Sequence, residues 1–168
     1  GCNLESRNAY SWENSAHEDL CTRIADTVDL DFFVIAGGYT LLETRALRRI
    51  LPLCEERNIG VIIAAPYASG WLVTPDESAP YMYDKPSEQI IRKSRGIKSI
   101  CDDAGVPLAA AAIQFPLAHP KVASVIPGAK SPVEPKENYN YMNTEIPVEV
   151  WQRIKSEGLL DETSPTPE

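Results

Sequence analysis

Residues 31–36 (DFFVIA) and 60–65 (GVIIAA) decide the fold, with residues 121–126 (KVASVI) as a third stretch of the same kind. Each is a short apolar run rich in branched side chains and closed by small or turn-forming residues, the pattern of strands buried on both faces of a parallel sheet. The third runs directly into Pro127 and Gly128. Three buried strands are predicted.

Helical patterns fill the intervals. Ser15 and Glu18 have the spacing of a capping box, and Leu20, Cys21 and Ile24 share a face, so a helix is expected over about 15–25. Residues 44–56 carry Leu47, Ile50, Leu51 and Cys54 at three- and four-residue spacing, with Pro52 expected to kink that helix or end its first part. Over 87–103, Ile90, Ile91, Ile97, Ile100 and Cys101 form one stripe, and Gly105 stands where a left-handed terminal residue is needed. Pro107 opens a further helix that runs through 109–112 to Leu117.

Helices between buried strands mean βαβ crossovers and a parallel sheet, either an open doubly wound sheet or part of a (β/α)8 barrel. No G-x-G-x-x-G follows the first strand, which favours the barrel. The aperiodic stretch 73–86 (VTPDESAPYMYDKP) reads as a βα loop, and such loops frame the active face of a barrel. Residues 1–168 are read as one domain, with a loosely held tail over 161–168.

The formal charge of −8 argues against nucleic acid and against an anionic membrane as partners. No apolar run approaches the ~20 residues of a membrane span, and no secretory leader is evident, so a cytoplasmic setting is expected. Cys2, Cys21, Cys54 and Cys101 are widely spaced without a C-x-x-C pair, which suggests reduced structural thiols rather than zinc ligands or disulfides. The chain opens on Gly1 rather than Met, and a segment upstream is expected.

Three segments then narrow the reading: 38–43 (GYTLLE), 65–72 (APYASGWL) and 126–132 (IPGAKSP), each following a predicted strand. In order and separation they resemble the aldo-keto reductase superfamily. Within it they look most like the branch of L-fucose or D-threo-aldose 1-dehydrogenase and pyridoxal 4-dehydrogenase, which shares the Y-T-L-L element and the A-A-A-x-Q-F-P-L-x-H-P segment found here at 110–120. Trp151 and the ending 157–160 (EGLL) extend the likeness along nearly the whole chain.

A full barrel of this kind is about twice as long. The resemblance therefore implies an α/β fold made of the C-terminal half of a (β/α)8 TIM barrel, strands six to eight plus the end of strand five at residues 1–3. It also implies an NAD(P)-dependent oxidoreductase acting on an aldehyde or sugar. The family's Asp, Tyr, Lys and His tetrad follows strands two to four, so no catalytic residue is expected here, and this chain alone is expected to be inactive.

What the resemblance assigns to this half is the cofactor cradle. Asn3 matches the residue that bonds the nicotinamide carboxamide. Ser69, Gly70 and Leu72 match the loop that approaches the pyrophosphate, where a small residue admits backbone N–H groups to anionic oxygens. Lys130 and Ser131 match the segment that meets the ribose 2′ position, where a cation favours NADP over NAD. Glu137 and Asn138 match the adenine contacts, and Glu134 stands where relatives often carry Gln or Arg. Tyr39 and Trp71 fall in the substrate or nicotinamide vicinity. Gly38, Ala68 and the alanines at 64–65 replace an Arg, an Asn and a stacking Tyr common in relatives.

Each residue also has a plainer explanation. Ser69 and Gly70 suit an ordinary turn, Lys130 an exposed surface, and Tyr39 and Trp71 the packing of a barrel mouth. His119 and His17 read as structural. A second functional reading stays open, a non-catalytic half-barrel that binds nucleotide weakly or assembles with itself or a partner through exposed sheet edges.

Overall fold

The computed structural model describes residues 2–3 and 16–168. Ser15 of the expected capping box and the side chains of Asn3, His17 and Glu18 lie outside the described residues. Strand β1 (Cys2–Asn3) is followed by α1 (Ala16–Thr27), β2 (Phe32–Ala36), a 3₁₀ turn (Arg45–Leu47), α2 (Ile50–Glu56) and β3 (Gly60–Ala64). After a long loop come α3 (Glu88–Asp103), α4 (Leu108–Gln114) with a 3₁₀ extension (Phe115–Ala118), β4 (Val122–Ile126), α5 (Glu134–Met142) and α6 (Val148–Ser156).

All four strands are parallel and lie in chain order, β1-β2-β3-β4. Among the described residues the order never reverses, so they hold no switch point of the doubly wound kind, and the winding is that of a barrel segment. Alternation along β2 and β3 divides the sheet faces: Phe33, Ile35, Val61 and Ile63 are buried, whereas Phe32, Val34 and Ile62 are partly exposed. The buried set packs in one core with Leu51, Ile97, Ile100, Phe115 and Trp151.

Local chemistry sets the helix limits. Ser87 Oγ accepts the Ile90 N–H at 3.3 Å and caps α3. At its far end Gly105 takes φ +68° and Val106 N–H returns to Cys101 O at 2.9 Å. The helix expected over 44–56 is two pieces, broken at Arg48 and Arg49. Pro52 therefore stands in the first turn of α2, where its missing N–H has no intrahelical partner to lose.

Gly96 faces the chain end, for a Cβ there would lie 2.8 Å from Leu159 Cδ1. Within the tail, expected to be loose, Asp161 Oδ1 accepts Thr163 N–H at 2.9 Å and Ser164 is 1% exposed.

Helices α5 and α6 were not foreseen. None of the α5 side chains is buried, so no apolar stripe marks it. In α6, Pro147 at the cap and buried Val150, Trp151 and Ile154 were a readable signal.

Candidate functional site

Parallel pairing brings the three strand exits side by side, past a register shift between Val61 and Ile62 on the β4 side. Ala36 pairs with Ala64 and Ala64 with Ile126. The ladder continues one residue further, Gly37 N–H donating to Ala64 O at 3.2 Å and Ala65 N–H to Ile126 O at 3.3 Å. The segments after β2, β3 and β4 therefore line one rim.

After β2 the backbone turns back through Thr40, whose buried Oγ1 accepts Leu42 N–H at 3.2 Å and Glu43 N–H at 3.1 Å. Glu43 in turn accepts Arg45 N–H at 2.9 Å and pairs with the Arg45 guanidinium at 2.6 Å. Lys93 of α3 donates to Leu42 O at 3.1 Å, and burial lowers its pKa. Tyr39 points into the core, 5.0 Å from the Phe115 ring and edge-on to His119 at 5.8 Å. Its hydroxyl has no partner among the described residues, and burial pushes its pKa up.

The loop after β3 is folded tightly. Ala65, Ala68 and Ser69 adopt left-handed φ of 55°, 48° and 61°, a strained state for side-chain-bearing residues that is commonest at functional sites. Gly70 follows at φ +92°, exposed, with nothing within 4 Å of where a Cβ would stand. Trp71 and Leu72 turn inward: Trp71 is 1% exposed with Nε1 donating to Pro80 O at 3.3 Å, and Leu72 N–H goes to Tyr67 O at 3.1 Å.

The loop 73–86 returns to this rim. Tyr81 and Asp84 close a tight turn through bonds of 2.8 and 3.0 Å, with Met82 and Tyr83 at its tip at φ 48° and 72°. Ser69 Oγ accepts Met82 N–H at 3.1 Å and lies 3.6 Å from Met82 Sδ. The same side chain covers Gly37, whose φ is +69° and where a Cβ would collide with Met82 Cε. Nothing local in the sequence announces Met82, because its partners are distant in the chain.

After β4, Lys130 and Ser131 are exposed. Lys130 N–H donates to Glu134 Oε2 at 2.7 Å and the Ser131 hydroxyl to Glu134 Oε1 at 3.3 Å. The Tyr67 hydroxyl donates to Asn138 Oδ1 at 2.6 Å, so the loop after β3 touches α5 directly. Burial, with Tyr141 and Glu137 nearby, raises the Tyr67 pKa to about 12. Gln114 Nε2 holds the end of α5 through Tyr141 O and Thr144 O at 2.7 and 2.8 Å, a role the sequence motif did not reveal.

Of the predicted residues, Ser69, Gly70, Lys130, Ser131, Glu134 and Asn138 belong to the rim segments, and Glu137 is exposed on α5. Tyr39, Trp71 and Leu72 are packed inside. The Asn3 backbone pairs with Val34. His119 lies before β4, at the opposite end of the sheet, where its Nδ1 accepts Lys121 N–H at 3.2 Å. Among the described residues no three His, Cys, Asp or Glu side chains form a metal-binding group, and no helix is long and apolar enough to cross a membrane.

The sequence model described as the aldo/keto reductase family matches residues 14–157. The chain is 39% identical over 138 residues to pyridoxal 4-dehydrogenase of Microbacterium luteolum, covering 80% of this chain and 40% of that protein. It is 36% identical over 151 residues to D-threo-aldose 1-dehydrogenase of a Pseudomonas species, covering 89% and 45%. An aldo-keto reductase from Bacillus halodurans, in its holo form, superposes with a TM-score of 0.67 at 22% identity over 86% of this chain and 47% of that one. The chain thus spans less than half the length of these relatives.

Proposed function

The chain belongs to the aldo/keto reductase family, and from that premise we propose that it forms the cofactor-holding part of a nicotinamide-dependent oxidoreductase acting on an aldehyde or a sugar. One observation carries this reading: three loops meet along one rim, joined by the 3.2 and 3.3 Å bonds past the strand ends. The donor set suits a dinucleotide. Gly70 has no side chain and nothing within 4 Å of where a Cβ would stand, which leaves room for a diphosphate beside the Ser69 hydroxyl, and the exposed Lys130 and Ser131 offer an ammonium and a hydroxyl to a ribose. When bound, the nicotinamide supplies hydride-transfer chemistry, and the protein's share is to bind and align it.

In this reading Ser69 and Gly70 hold the diphosphate, Lys130 and Ser131 the ribose 2′ region, Glu137 and Asn138 the adenine, and Asn3 the carboxamide. Tyr39, Trp71 and Leu72, all nearly without exposure, stiffen the loops from beneath. Lys130 favours NADP on charge alone, and the Glu134 carboxylate opposes it. No proton-transfer residue is assigned to this chain, so it is expected to be inactive by itself. The buried thiols of Cys21, Cys54 and Cys101 support a cytoplasmic setting.

The test is a titration of the full-length protein with NAD and NADP, followed by tryptophan fluorescence. Saturable quenching is the expected result, and no binding at millimolar nucleotide would refute the reading.

A second reading draws on the β4 edge, where Ala123 and Ser124 are exposed and Ile126 is 50% exposed. Such an edge supports assembly with another strand-bearing partner or a second copy. Light scattering that finds only monomer at high concentration counts against it.

A further inference from the structure

We infer that Lys93 is a positioning residue for the rim: its ammonium, donating from α3 to the Leu42 carbonyl, sets the loop after β2 against the loop that carries Met82, without itself meeting a ligand. The inference rests on the cofactor reading above. Residues 40–43 are tied to themselves, Thr40 Oγ1 accepting the Leu42 and Glu43 N–H groups at 3.2 and 3.1 Å. Those bonds shape the turn but do not place it. The 3.1 Å bond from Lys93 Nζ to Leu42 O, across a separation of 51 residues, adds a polar tie to α3 beside the packing of buried Leu41 and Leu42.

Charge carries the placement onward. Glu43 pairs with Arg45 at 2.6 Å, and both act on the partly buried Tyr81 phenol in the loop 73–86. Tyr81 closes the tight turn whose next residue, Met82, donates its N–H to Ser69 Oγ at 3.1 Å. From the chain end, Asp161 joins Glu43 in favouring the Lys93 charge. The contacts thus run from α3 to the hydroxyl assigned to the diphosphate.

Folding gains little from this lysine. Its side chain is half-buried, and burial outweighs the two carboxylates, so its pKa is lowered and the charged form is disfavoured. An apolar side chain of similar length would remove that cost, while leaving the Leu42 carbonyl without this donor. The two changes offset. A lysine that adds nothing to stability, yet holds a loop beside the site, is placed for binding rather than for folding.

Thermal melts without nucleotide, titration with NAD and with NADP, and amide hydrogen exchange of the full-length protein test this in Lys93→Met and Lys93→Arg. Lys93→Met should melt within about 3 °C of the wild type yet bind nucleotide about tenfold more weakly, whereas Lys93→Arg, which keeps a donor and a charge, should bind within about threefold of it. In the nucleotide-free protein Lys93→Met should speed exchange of the Met82 N–H. The positioning role fails, with the cofactor reading intact, if Lys93→Met binds as tightly as the wild type or loses binding only in step with its melting temperature. It fails equally if Lys93→Arg does not restore binding, or if exchange at Met82 is unchanged. If the wild type binds neither nucleotide, the cofactor reading falls, and the exchange at Met82 alone decides whether Lys93 places the loop.

Discussion

The Tyr67 hydroxyl and the Asn138 side-chain oxygen stand 2.6 Å apart, joining the loop after β3 to the helix after β4. The bond crosses between two segments that share no strand ladder of their own, so it fixes their separation. Tyr67→Phe should lower stability by about 1 kcal/mol in urea unfolding, the usual net worth of such a bond. It should also weaken nucleotide binding. A variant that unfolds at the wild-type midpoint would show that the bond contributes nothing.

Gly37 carries a second prediction. Its φ of +69° disfavours any side chain, and a Cβ there meets Met82 Cε. Gly37→Ala should cost about 1–3 kcal/mol, part from backbone strain and part from the collision. Met82→Ala in the same chain should return only the steric part. A double-mutant cycle that gives strict additivity would mean the two residues do not touch.

Alkaline pH should unfold the protein early. Burial pushes the Cys54 and Cys101 thiols to about 11, and burial pushes the Tyr67 and Tyr81 phenols to about 12. Each is raised in the folded state, so the unfolded chain loses its proton first. The stability these groups contribute is intact below their ordinary values and is lost progressively between about pH 9 and 12. Urea midpoints across that range check the slope, and tyrosinate absorbance in the native protein checks the phenols.

On the acid side His119 acts with the opposite sense. Burial lowers its pKa, partly offset by Glu55, whose carboxylate oxygen lies 3.7 Å away. The neutral ring is favoured by folding, so its contribution is full above about pH 6.5 and falls as pH drops through the lowered value. His119→Phe should flatten that part of the stability profile. An NMR titration showing a raised His119 pKa would reverse the sign.

The strands were readable as short apolar runs, since 31–36, 60–65 and 121–126 contain Phe32–Ala36, Gly60–Ala64 and Val122–Ile126, but burial on both faces did not hold: Phe32, Val34 and Ile62 are partly exposed, and Ala123, Ser124 and Ile126 are exposed. Helix α3 was readable from its stripe and Gly105. Helix α5 was not, since no side chain on it is buried and polarity all round carries no period. The rim was legible only as motifs. That Met82 sits on Gly37 and Ser69 depends on the path of a fourteen-residue loop with no repeat (73–86), which composition does not encode. The Glu134 contact left a faint local trace, the Ser131-x-x-Glu134 spacing, read in the sequence only as a departure from relatives.

The unreversed order of the four strands has a geometric consequence for whatever lies along their ends. Twist accumulates in one sense from each strand to the next, by roughly 20–25° a step, so successive exit points trace an arc rather than a line. A long molecule touching all three loops has to bow to follow that curve. A rigid rod of equal length, laid across the same ends, would bridge the bend and miss the middle.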